Sequence, residues 1–127
     1  MMKKFLFFIA AAIVAAGCAS QSTPDKPELK FREDGTFKIA QYTDLHWEEE
    51  DPEGVEVIKN IIRDVTKAEK PDLIIFTGDV ICTSPAETGW RNLISLMNEL
   101  GVPYAVTMGN HDPEYDLTRE EMFDILE

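Results

Sequence analysis

The hydrophobic pattern changes period several times along the 127 residues, and each change predicts an element. Leu29 and Phe31 alternate with charged neighbours, Asp34-Gly35 interrupts, and Phe37, Ile39 and Gln41 resume the alternation. A two-residue period on either side of an Asp-Gly break predicts a β-hairpin over residues 29–43. Val55, Ile58, Ile61, Ile62, Val65 and Ala68 then recur at helical spacing. Asp51 is placed to cap that helix, Pro52 lies in its first turn, Lys67 and Lys70 complement the dipole at its end, and Pro71 stops it. Leu73, Ile74, Ile75 and Phe76 form a short run without alternation, which predicts a strand over 72–77 covered on both faces, as in a parallel sheet. Residues 80–88 read as a loop. Trp90, Leu93, Ile94, Met97 and Leu100 predict a second amphipathic helix closed by Gly101, with an open start because Ser84-Pro85-Ala86-Glu87 also offers a cap. Residues 102–107 predict a third apolar strand. Thr118-Arg119-Glu120-Glu121 is a capping box that opens a helix carrying Met122, Phe123, Ile125 and Leu126.

The predicted order is a hairpin followed by β-α-β-α-β-α, an α/β class with parallel strands and right-handed crossovers. Such an order brings the strand ends to one edge of the sheet, where open α/β sheets hold their ligands. Three polar breaks fall at those ends. Asp44-Leu45-His46 follows the first strand, Gly78-Asp79 the second, and Gly109-Asn110-His111-Asp112 the third. In an extended segment Asp44 and His46 point the same way and offer an oxygen and a nitrogen to one cation. An Asp–His hydrogen bond closing the loop is the plain alternative. Asp79, at the end of an apolar strand, needs a partner for its charge, and a metal would serve; a simple Gly-Asp turn is again the alternative. Asn110 offers a hard amide oxygen. His111 points elsewhere and suits a general acid, with Asp112 expected to fix its tautomer and raise its pKa; a tight turn stabilised by the asparagine and a capping aspartate is the alternative. Trp47 reads equally as a pocket border or a lid on the core, and residues 48–51 as a solvated acidic loop.

Charge and the first residues add location. The net charge is −12 and no basic patch is visible, which argues against nucleic acid as a partner. Lys3 and Lys4 precede a continuous apolar run over 5–16, too short to span a bilayer, and Ala15-Ala16-Gly17-Cys18 follows. This resembles a bacterial lipobox. Residues 1–17 are therefore expected to be a lipoprotein signal peptide, Cys18 the lipidated residue, and 18–28 a flexible tether, with plain signal cleavage and a free Cys18 as the alternative. The expected location is exported and membrane-anchored. Cys82 then lacks an intrachain partner, and burial is its default fate.

Taken in order, Asp44-x-His46, Gly78-Asp79 and Gly109-Asn110-His111-Asp112 resemble the calcineurin-like metallophosphoesterases. The surrounding sequence is similar to their purple-acid-phosphatase-like branch, over about residues 29–127. The resemblance implies the N-terminal half of a four-layer αββα sandwich with two metal ions (Mn, Fe or Zn) acting on a phosphate ester. It implies that Asp44 and His46 bind the first ion, Asp79 bridges, Asn110 binds the second, and His111, outside the metal shell and supported by Asp112, stabilises the transition state or protonates the leaving oxygen. Two departures stand out. Purple acid phosphatases carry a tyrosinate ligand three residues after the bridging aspartate, where this chain has Cys82. The family also supplies further histidines from a second half, including a Gly-His-x-His turn, whereas this sequence has two in all, His46 and His111. Glu114, Asp116 and Glu120 have oxygens to offer, but their spacing does not suggest it. The expectation is a centre that this chain alone leaves incomplete. A missing C-terminal half, a partner chain supplying it, and a truncated non-catalytic surface lipoprotein remain as alternatives.

Overall fold

The computed structural model describes residues 28–127. The expected signal peptide, Cys18 and nearly all of the expected tether lie outside the described residues. The elements run β1 (Ile39–Tyr42), α1 (Pro52–Glu69), β2 (Leu73–Thr77), α2 (Ala86–Leu100), β3 (Tyr104–Thr107), a 3₁₀ turn (Asp112–Glu114) and α3 (Arg119–Leu126). The strands form one parallel sheet in the order β1-β2-β3, with Ile39 opposite Leu73 and Ile74 opposite Tyr104. The α/β class and the alternation of strands and helices are as expected.

Local signals explain the helices. Asp51 accepts the Gly54 N–H at 3.0 Å and Pro52 starts α1, while Lys70 ends it in a left-handed conformation with its N–H on Thr66. Val55, Ile62 and Thr66 form its buried stripe. Ile61, expected on that face, is 51% exposed. At the start of α3, Thr118 and Glu121 make both bonds of the capping box. The open start of α2 resolves at Ala86, where no local side chain caps it; Asp116, thirty residues on, accepts the Ala86 N–H at 2.8 Å.

The hairpin does not form. Asp34-Gly35 makes the expected turn, with the Gly35 N–H on the Arg32 carbonyl and Gly35 at φ 78°, but residues 28–33 pair with no strand. Arg32 instead reaches the start of β2, donating to Asp72 at 3.0 Å and to the Lys70 carbonyl at 2.6 Å. Asp72 also accepts the Lys38 N–H, so its carboxylate takes the place of a ladder.

The two faces of β2 differ. Ile74 and Phe76 are fully buried, whereas Leu73, Ile75 and Thr77 are partly open. Their neighbours on that second side, Ile39, Gln41, Ala105 and Thr107, are exposed. The described residues therefore cover one face of the sheet, not the two predicted for β2. The core on the covered face gathers Trp47, Ile62, Phe76, Ile81, Trp90, Leu93 and Met122. Trp47 belongs to this core: its ring is fully buried and its indole N–H donates to Glu49 at 2.7 Å. Glu49 also accepts from Asn92 and Glu50 from Thr83, so part of the acidic loop is tied down rather than solvated. Among the described residues no helix is long and apolar enough to cross a membrane.

Candidate metal centre

The ends of β1 and β2 run on side by side past the sheet. The Asp44 N–H donates to Gly78, that of His46 to Asp79 and that of Trp47 to Val80, at 2.9–3.1 Å. This continued pairing over-determines a backbone that individual residues resist. Asp44, His46 and Asp79 sit at φ 52°, 47° and 49°, in the left-handed region. Among the described residues the fourth non-glycine residue there is Lys70, a helix cap. A positive φ costs a non-glycine residue about 1–2 kcal/mol, and such residues collect at functional sites. Donor atoms of Asp44, His46 and Asp79 all lie within 4.8 Å of one another. The three residues converge as expected, but by a different route. Asp44 and His46 meet Asp79 through left-handed kinks, not through the side-chain alternation of an extended segment.

The third strand end closes on the second through two glycines. Gly78, at φ 100°, has no room for a side chain: a Cβ there would lie 2.8 Å from the Gly109 Cα. A Cβ on Gly109 would lie 2.8 Å from the Asp79 Cγ. This close approach lets Asp79 Oδ1 accept the His111 N–H at 2.8 Å. The His111 ring centroid then lies 5.8 Å from that of His46, at the border of the cluster. Asn110 is exposed in the same turn, between Gly109 and His111.

Asp112 takes the capping role and not the support of His111. Its side chain is fully buried. It accepts four backbone N–H groups, from Gly109 at 2.6 Å, Val80 at 2.8 Å, Asp79 at 3.0 Å and Ile81 at 3.1 Å. It therefore binds the third strand end to the loop that carries Asp79. The residue paired with His111 is Glu114, whose Oε2 lies 2.6 Å from Nδ1. The hydrogen bond and the charge of Glu114 raise the His111 pKa above its ordinary value. Sequence reasoning considered Glu114 only as an oxygen donor. The usable signal was the His-Asp-Pro-Glu run, since a 3₁₀ turn there stacks residue 114 on residue 111.

Cys82, at the position of the tyrosinate, is 5% exposed and lies outside the Asp44–His46–Asp79 cluster. Burial first, then the charges of Asp112, Asp79 and Glu48, push its thiol up to about 11. Such a thiol is protonated and unreactive at neutral pH. In the metal-free protein at pH 8, Cys82 should react with iodoacetamide at least about tenfold more slowly than in urea, the thiolate being the reactive species. Equal rates measured by mass spectrometry would contradict its burial.

The residues fit a cation. Two carboxylates and an imidazole face one point, and among the described residues neither Asp44 nor Asp79 takes part in an ion pair with lysine, arginine or histidine. Oxygen and imidazole donors in this mixture suit first-row metals. Residues 37–127 match the calcineurin-like phosphoesterase family. The chain belongs to that family. As a calcineurin-like phosphoesterase it is 35% identical over 126 residues to probable inactive purple acid phosphatase 28 of Arabidopsis thaliana, an alignment covering 82% of this chain and 30% of the plant protein. It is 29% identical to phosphatase DCR2 of Saccharomyces cerevisiae over 76% of this chain and 20% of the yeast protein. It is 33% identical to the UDP-2,3-diacylglucosamine pyrophosphatase LpxG of Chlamydia muridarum over 60% of this chain and 22% of that protein. The chain thus spans less than a third of the length of each of these relatives. A calcineurin-like phosphoesterase is a metal-dependent hydrolase by family, and the α/β unit seen here corresponds to the N-terminal part of that fold.

Proposed function

We propose that the protein hydrolyses phosphate esters at a centre of two metal ions, to which this chain contributes one part. The convergence of Asp44, His46 and Asp79 within 4.8 Å carries the reading. Asp44 and His46 would hold one ion; Asp79, which stands beside the Gly109 turn, would serve both, and Asn110 the second. When bound, the ions neutralise the phosphate and activate water as the nucleophile. The chain's own residues orient that chemistry: Asp79 receives the His111 N–H, and the His111 ring donates a proton to the leaving oxygen. The remaining ligands, and the cover of the open face of the sheet, belong to the length of the relatives that this chain does not span. Residues 1–18 favour an exported protein held to a membrane by lipidated Cys18.

A second reading has one observation behind it, that relatives of this chain carry the name probable inactive purple acid phosphatase. On that reading the protein binds metal at the cell surface without catalysis. The protein isolated as its cell makes it, loaded with Mn, Fe or Zn, separates the two. Assays should include a monoester, a diester and a pyrophosphate, because the relatives include a phosphatase and a pyrophosphatase. The expected result is metal-dependent turnover of at least one of them. Asp79→Ala should reduce it by more than about 100-fold, above the effect usual for outer-shell partners. Metal binding with no turnover of any ester favours the second reading, and full activity in Asp79→Ala contradicts the first.

A further inference from the structure

We propose that Glu114 is the positioning residue for His111, holding Nδ1 as the protonated nitrogen so that Nε2 is the one presented to the leaving oxygen. This deepens the phosphoesterase reading and rests on it for the role of His111. Three observations support the assignment. The first is the turn. Asp112–Glu114 is a 3₁₀ turn closed by the Glu114 N–H on the His111 carbonyl at 3.0 Å. A 3₁₀ turn repeats every three residues, so side chains at 111 and 114 eclipse. Pro113 fixes its own φ and stiffens the segment between them. The second is the contact, Glu114 Oε2 to His111 Nδ1 at 2.6 Å, a charge-assisted length.

The third is the removal of the competitor. Asp112 is the nearest acid in sequence, but four backbone N–H groups occupy its carboxylate inside the core. The two aspartates of the region thus act on the backbone: Asp112 holds Gly109 and Asp79 holds the His111 N–H. Orientation of the ring is left to Glu114. The His111 and Glu114 side chains are 44% and 57% exposed, and an exposed pair of this kind adds little stability. Its value lies in geometry. A carboxylate accepting from Nδ1–H selects one tautomer, and an imidazolium so held gives up the Nε2 proton and returns to the neutral Nδ1–H form. The oxygen of a water molecule bonds to phosphorus as the bond to the departing oxygen breaks; the departing oxygen keeps the bonding pair and takes the Nε2 proton, and the water's proton goes to solvent.

The test reads the tautomer directly and the chemistry separately. In the metal-loaded protein as its cell makes it, nitrogen NMR of His111 at a pH where the ring is neutral should show Nδ1 protonated. Glu114→Ala should shift the ring to Nε2–H, and Glu114→Gln, which keeps an acceptor oxygen, should retain Nδ1–H. In turnover, Glu114→Ala should lower kcat about 10–100-fold with KM nearly unchanged, the size usual for an outer partner. The loss should be larger for an alkyl phosphate than for a p-nitrophenyl ester, whose leaving group needs no proton. An unchanged tautomer in Glu114→Ala, or an unchanged kcat on the alkyl ester, overturns the assignment. If the wild-type protein turns over no ester, the phosphoesterase reading fails, and the tautomer measurement still decides whether Glu114 sets the ring.

Discussion

Replacing Asp112 with alanine should remove about 3–5 kcal/mol of stability, the usual cost of deleting one partner from a buried charged cluster. The carboxylate is fully buried and takes four backbone N–H groups from two separate loops. Without it those donors lose their acceptor in a space too dry for water to replace it readily, and each unmade bond costs about 1–3 kcal/mol. Against a total stability of about 5–15 kcal/mol, the loss is a large fraction. In urea, where the dependence is about 1–3 kcal/mol per molar, the midpoint should fall by roughly 2 M. Asp112→Asn should be intermediate, because one oxygen still accepts while the amide N–H group faces other donors. A midpoint unmoved in Asp112→Ala would mean that the carboxylate is not the clamp described. Were Asp112 instead the partner of an exposed His111, its removal would cost little stability.

The second large effect is on metal affinity. Gly109→Ala introduces a methyl group against Asp79 Oδ1, 2.5 Å from the Asp79 amide nitrogen and 2.8 Å from the Asp79 Cγ. The amide nitrogen is backbone and cannot swing aside, so Asp79 or the Gly109 turn must move. Asp79 stands in a left-handed conformation with its carboxylate already receiving the His111 N–H, which leaves few ways to yield. The affinity for Mn, measured by calorimetry, should fall about 10–100-fold, as when groups that orient a ligand are disturbed. Stability should fall by about 1–3 kcal/mol, the cost of overpacking. Wild-type affinity in this variant would place Asp79 outside the metal shell.

How much of this was legible in the sequence depended on whether the signal was local. Caps and periods close to their helices read correctly: Asp51, Lys70 and the Thr118–Glu121 box are all where the pattern put them. So did the three strand-end motifs, because a parallel βαβ order forces their ends to one edge. Readings that depended on distant partners fared less well. The hairpin turn closed, but Arg32 was drawn to Asp72, forty residues away. The α2 cap came from Asp116 across the fold. Ile61 matched the helical period yet sits at the exposed side of the stripe, since periodicity marks an apolar face wider than the neighbours fill. The most consequential miss was between two acids two residues apart, Asp112 and Glu114. Chain adjacency favoured Asp112 for His111, while the three-residue repeat of a 3₁₀ turn delivered Glu114. That turn was not predicted, so the stacking it produces was not either.

The measurement that reaches the central claim most directly is the metal content of the protein isolated from its own cells without added metal, for the wild type and for Asp79→Ala. Elemental analysis should find two ions of Mn, Fe or Zn per wild-type molecule, and a clear loss in the variant. A wild-type protein that is metal-free as isolated, and takes up none of the three from buffered solution, would contradict the site built from Asp44, His46, Asp79 and Asn110.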